Sequence, residues 1–226
     1  MISIILPSKD QSEYIAECLD SIRAQTYTDW ECIIVDESND STPDILKHYE
    51  AIDPRFTVIY SKGLGIASSR NLGFNASRGD YICVMDADDV MDGKRLEKSL
   101  KMLEKGCDVV YSEYIEMDYK SRAMSLFSIG VIESSKTTLE DIIEHQIAPH
   151  ATIMARRKCF QDHPYREKRL CDDHYLIATW YKAGYKFKKL RNPVLSKRYH
   201  NAQEYRVNYG FYMEQSEKLK EELLKT

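Results

Sequence analysis

Alternation constrains this chain more than any other feature. Ile2–Leu6, Trp30–Val35, Phe56–Tyr60, Tyr81–Met85 and Val109–Tyr111 are short apolar runs. The stretches between them repeat at helical spacing: Ile15, Leu19 and Ile22; Ile45, Leu46 and Tyr49; residues 65–77; Leu96, Leu100 and Leu103. Short runs apolar throughout read as strands buried on both faces, and strands separated by helices need crossover connections. Thr42 before Pro43 marks one helix start, and Gly106 marks a helix end. The pattern predicts an α/β fold: a mainly parallel mixed sheet with helices on both faces.

Beyond residue 112 the pattern loosens. Residues 113–137 read as short strand-like or loop segments without a readable order. Helices are expected over 138–146 and 172–183, and strands over 151–155, 186–190 and 194–199. The Glu-, Lys- and Leu-rich tail from about 204 reads as an amphipathic helix. With 226 residues, 43% of them hydrophobic, the chain suits one domain with two lobes, about 1–112 and 113–203. No apolar run is long enough to cross a bilayer. The opening MISIILPSKD lacks the basic start and cleavage site of a leader, so a cytoplasmic address is expected. The six cysteines, none in a CxxC pair, read as reduced core residues in that setting.

In an open parallel sheet, ligands bind beyond the carboxyl ends of the strands. Three polar clusters fall there: Pro7-Ser8-Lys9-Asp10, Asp36-Glu37-Ser38-Asn39-Asp40 and Asp86-Ala87-Asp88-Asp89. Three carboxylates in four residues repel one another unless something positive shares the space. Oxygen ligands favour Mg2+ or Mn2+, which could bridge the phosphates of a nucleotide. The charge is divided along the chain. Residues 1–155 hold 15 basic and 27 acidic side chains, and residues 156–198 hold 13 and 4. That profile does not suit a nucleic-acid binder. The basic segment, with Arg156, Arg157, Lys158, Arg166, Lys168 and Arg169, suggests an acidic acceptor or an anionic membrane surface.

The motifs resemble family 2 glycosyltransferases of the GT-A fold. SIILPSKDQ matches the opening strand, and VDESNDST resembles V-D-D-G-S-T-D-x-T but is one residue shorter. GIASSRNLGFNASRGDYICVMDADD resembles G-x-x-x-A-R-N-x-G-x-x-x-A-x-G-x-Y-I-x-x-L-D-x-D-D, the most specific match. CDDHYLIATWYKAGYKF resembles the E-D-x-x-L…W…G-Y-K block, and SKRYHNAQ the Y-R-x-H segment.

The resemblance implies roles position by position. Pro7, Ser8 and Lys9 would line the base pocket, and Asp36 would bond the base or ribose. Arg70 would face the nucleotide or its phosphates. Asp86, with Ala87, would lie on the donor's ribose or sugar side. Asp88 and His200 would hold Mn2+ or Mg2+. Asp173 would be the general base, with Asp172 standing where the family has Glu and raising its neighbour's pKa towards neutrality. The implied reaction is inverting transfer of a sugar from a nucleotide-diphosphate sugar, a UDP-sugar, to an acceptor hydroxyl. The acceptor would be a saccharide or lipid-linked, as in bacterial-type cell-surface polysaccharide or glycolipid assembly, with peripheral contact at the inner membrane face. Two alternatives stay open at this level. Asp86-Ala87-Asp88-Asp89-Val90 also fits the D-x-D-x-[TV] motif of haloacid-dehalogenase-type phosphatases, and the chain could be an inactive nucleotide-sugar-binding module.

Overall fold

The structure is a computed structural model. It describes residues 1–128, 130, 132, 137–145, 148–166, 172–200, 214, 217, 218, 221 and 222. The described elements begin β1 (Ile2–Ser8), α1 (Ile15–Arg23), β2 (Trp30–Asp36), α2 (Thr42–Ile52), β3 (Phe56–Tyr60), α3 (Ile66–Ala76) and β4 (Tyr81–Val84). They continue β5 (Val90–Met91), α4 (Arg95–Glu104), β6 (Val109–Tyr111), β7 (Tyr114–Asp118) and β8 (Ala123–Phe127). Then come α5 (Leu139–His145), a 3-10 turn (His150–Thr152), β9 (Met154–Arg156) and α6 (Arg157–Asp162). The series ends with α7 (Asp172–Lys182), β10 (Phe187–Lys189) and β11 (Leu195–Tyr199).

Seven strands form the main sheet in the order β10-β6-β9-β4-β1-β2-β3. All its pairings are parallel except those of β9, which runs antiparallel to both β4 and β6. The expected parallel sheet is therefore present, and β2 is buried throughout and β1 everywhere but Pro7 because helices cover both faces. One core layer gathers Leu19, Ile22, Leu46, Leu96 and Leu103 against Ile4, Leu6 and Ile34. The opposite layer gathers Phe74, Phe160, Leu176 and Trp180 against Ile5, Ile33 and Val84. The five cysteines described, at 18, 32, 83, 107 and 159, are free and buried, as expected.

A second sheet, β5-β11-β7-β8, holds the elements without a readable order. Here β7 and β8 form a hairpin that runs through Glu116/Met117 with a register shift. The tail helix expected from 204 lies outside the described residues, apart from residues 214, 217, 218, 221 and 222, which are helical.

Candidate active site

The carboxyl ends of β1, β2 and β4 lie side by side, because Ser8 is in register with Asp36 and Ile5 with Val84. Asp36 is buried at the end of β2 and accepts a hydrogen bond from the Ser38 hydroxyl at 2.6 Å. The two loops beyond β1 and β2 are laced together. The Asp10 N–H donates to Ser38 Oγ (2.8 Å), Asn39 N–H to Asp10 Oδ1 (2.7 Å) and Ser12 N–H to Asp40 Oδ2 (3.1 Å). Asp10 takes a φ of 53° to allow this, a conformation Asp tolerates better than most residues. Ser8 is buried, Pro7 is half-buried and Lys9 is exposed, so the three do not share one environment.

The segment after β4 is aimed by two buried arginines. Arg95 of α4 donates to the carbonyls of Val84 (2.8 Å), Ala151 (2.7 Å) and Ile153 (3.3 Å), which fixes the end of β4. Arg198 of β11 donates to the Asp88 carbonyl at 2.8 Å and to Glu17 at 2.6 Å. Its own N–H donates to Asp89 Oδ1 at 2.9 Å. Burial drives the Asp89 carboxyl far above the usual range, and the charges of Asp88 and Asp86 add to that. Asp89 is thus the structural member of the acidic cluster.

Asp86 and Asp88 each meet a side chain singled out in the sequence, although Arg70 was expected at the nucleotide and not at Asp86. Arg70, 5% exposed on α3, reaches Asp86 Oδ1 at 3.0 Å. His200 Nε2 lies 3.0 Å from Asp88 Oδ2. Ala87 between them is buried. Among the described residues no third His, Cys, Asp or Glu joins Asp88 and His200. A carboxylate and an imidazole are donor types that Mn2+ accepts, and these two residues could hold part of such a site.

Asp173 opens α7 and accepts the His174 N–H at 2.9 Å. Burial pushes its carboxyl up, but His174, His150 and Arg70 outweigh that, and the group lies at about 2. Burial, reinforced by Arg70, holds His150 well below its usual pKa, so its ring is neutral at pH 7. The shift runs opposite to the upward one expected from Asp172. The cations that face Asp173 reverse it. The Asp172 side chain lies outside the described residues.

Four residues around Arg70 and Asp173 escaped the sequence reading. His150 Nε2 lies 2.7 Å from the Tyr165 hydroxyl. Asn71 pins the Tyr165 backbone with two hydrogen bonds, of 2.8 and 3.0 Å, one residue after Arg70. Burial lowers the Lys197 ammonium, yet Asp89, Asp86 and Asp173 together raise it above its ordinary value. The one available signal for Lys197 was its position three residues before His200.

Four members of the basic segment have structural partners. Arg156 donates to the Cys107 and Leu103 carbonyls, Arg157 to the Gly79 carbonyl and Ser77 Oγ, and Lys158 pairs with Asp108 at 2.8 Å. Arg156 is in register with Tyr81, at the amino ends of the parallel strands and away from the site. Arg166 pairs with Glu222 at 2.6 Å, and residues 168 and 169 lie outside those described.

The layered, mainly parallel sheet is that of an α/β protein with the GT-A architecture. The glycosyl transferase family 2 model matches residues 3–164, and the chain belongs to that family. It is 34% identical over 161 residues to the putative teichuronic acid biosynthesis glycosyltransferase TuaG of Bacillus subtilis, covering 70% of this chain and 63% of that one. S. aureus TarS 1–349 in complex with UDP-GlcNAc superimposes with a TM-score of 0.69 at 18% identity, over 89% of this chain and 59% of TarS 1–349. The mannosyltransferase PcManGT of Pyrobaculum calidifontis, in complex with GDP-Man and Mn2+, gives 0.73 at 16% identity, over 95% and 62%. The chain thus spans roughly three-fifths of each of these proteins. Family membership sets the phosphatase alternative aside.

Proposed function

We propose that the chain catalyses inverting transfer of a sugar from a UDP-sugar to an acceptor hydroxyl, in assembly of a cell-surface polysaccharide or glycolipid. The observation that carries this reading is the joint placement of Arg70–Asp86 and His200–Asp88 at the carboxyl edge of the sheet, beside Asp173. Pro7, Ser8, Lys9 and Asp36 receive the nucleotide base and ribose. Arg70 offers a fixed fork of donors to the diphosphate. Asp88 and His200 hold the Mn2+ or Mg2+, which when bound supplies positive charge for the departing diphosphate. The TuaG and TarS relationships support a polysaccharide acceptor and a UDP-linked donor. A lipid-linked acceptor would bring the protein to a membrane surface.

Asp173 takes the acceptor proton. Without donor its low pKa makes it a weak base. A diphosphate seated on Arg70 offsets one of the charges that depress Asp173, after those of His174 and His150, while burial continues to raise it. The proton acceptor therefore strengthens when donor is present. The test is proton NMR of the product made from an α-linked UDP-sugar. A β-linked product supports the reading, and an α-linked product overturns inversion.

A further inference from the structure

Lysines recur on α4 and its two flanking residues at positions 94, 98, 101 and 105, steps of four, three and four that follow one helix face. Leu96, Ser99 and Leu103 occupy the opposite, buried side. Like charges at this spacing disfavour a helix. Two of them are partly offset, since Lys98 pairs with Asp92 at 2.9 Å and Lys101 with Glu97 at 2.6 Å. Glu104 is exposed nearby. Lys105 and Arg191 form no ion pair with a described residue.

Between α4 and residues 190–192 lies a cavity of about 260 Å³, lined by Lys98, Lys101, Met102, Lys105, Leu190, Arg191 and Asn192. Four cations thus line it, beside half-buried Met102 and buried Leu190. The cavity sits on the solvent side of α4, whereas the acidic cluster lies at the carboxyl edge of the main sheet. Of these four cations only Arg191 belongs to the basic segment, whose Arg156, Arg157 and Lys158 are committed to carbonyls and to Asp108.

We propose that this groove is a docking surface for the anionic headgroups of a lipid bilayer. A cavity of this size holds one phosphate-bearing group. The lysines, however, extend along roughly 16 Å of helix at 1.5 Å per residue, which matches a charged plane better than a point ligand. Leu190 is buried and Met102 half-buried in the core, so the contact rests on the cations and not on apolar insertion. The surface gives a location to the membrane contact of the proposed function and rests on that reading for its purpose, yet it is tested without the reaction.

The experiment is co-sedimentation of the full chain with mixed phosphatidylglycerol–phosphatidylcholine vesicles and with phosphatidylcholine alone. Binding to the anionic vesicles, weakening from ~0.1 to ~1 M salt, is expected. A variant with Lys101→Gln, Lys105→Gln and Arg191→Gln should bind on the order of a hundredfold more weakly, about fivefold per charge removed. A second variant with Lys47→Gln, Lys120→Gln and Lys182→Gln loses equal charge elsewhere and should bind like the parent. Circular dichroism checks that both fold. Equal partition of the parent and the groove variant overturns the proposal. So does an absence of vesicle binding together with a pyrophosphate thermal shift that the groove variant loses, which would make the groove a site for a free phosphate. Sugar transfer to a soluble acceptor that persists without vesicle binding would sink this surface and leave the proposed reaction standing.

Discussion

Asp173→Asn separates two effects of one carboxylate. The side chain is nearly isosteric but carries no charge. In the folded protein the carboxyl lies at about 2 against an ordinary value of 3.8, and each unit is worth about 1.4 kcal/mol. A lowered pKa means that the charged form is favoured by folding. The stabilisation is therefore fully present above about pH 4 and is lost as pH falls towards 2. It amounts to about 2 kcal/mol at pH 7, and about half of it survives at pH 3. Urea unfolding of parent and variant should then differ by about 0.7–1 M in midpoint at pH 7, for a slope of ~2–3 kcal/mol/M. The gap should narrow as the buffer is acidified. Sugar transfer should fall by about 10²–10⁴-fold, the usual contribution of a positioned base, with UDP affinity little changed. Equal midpoints at pH 7, or a gap that widens in acid, would refute the electrostatic account. Full transfer activity in the variant would remove Asp173 from the chemistry.

Two further substitutions probe the scaffold. Arg198→Met removes a guanidinium that is 1% exposed and bonded to Glu17 and the Asp88 carbonyl. It should cost about 3 kcal/mol in denaturant unfolding and weaken UDP binding through the loosened Asp88, while unchanged UDP affinity would show that Arg198 does not position that loop. Gly79→Ala would place a methyl 2.6 Å from Ser3 Oγ and 2.7 Å from the Ser3 nitrogen. The β1 backbone must shift, so a loss of about 1–3 kcal/mol in unfolding free energy is expected, and an unchanged urea midpoint would contradict it.

The strands of the main sheet were legible because burial on both faces writes itself as uninterrupted apolar runs, as in β1 and β2. The hairpin was not. All five residues of β8 are exposed, Met124, Leu126 and Phe127 among them, so no face alternates between core and solvent. The two-residue β5 and the six-residue α6 are too short to show a period. At the site, Arg70 with Asp86 and Asp88 with His200 were readable as motif members. That each pair meets at 3.0 Å is a product of the crossovers. His150, Tyr165 and Lys197 carried no comparable signal, since their relation to Asp173 depends on elements far apart in sequence. The arginines at 156 and 157 misled because segment charge says nothing about which carbonyls a guanidinium caps.

The central claim is that the carboxyl edge of the main sheet is a metal-assisted nucleotide-sugar site. Its most direct test is a thermal-unfolding panel of UDP- and GDP-sugars, with Mn2+ and with EDTA, on the parent and on Asp88→Ala and His200→Ala. A ligand at about 100 times its Kd stabilises by roughly 2.7 kcal/mol. That corresponds to about 2–4 °C for a chain of this size. The account predicts such a shift for a UDP-sugar with Mn2+, a smaller one with EDTA, and loss of the metal-dependent part in both variants while their unliganded melting stays near the parent's. No shift with any nucleotide sugar, or a Mn2+-dependent shift that survives in Asp88→Ala, would contradict it.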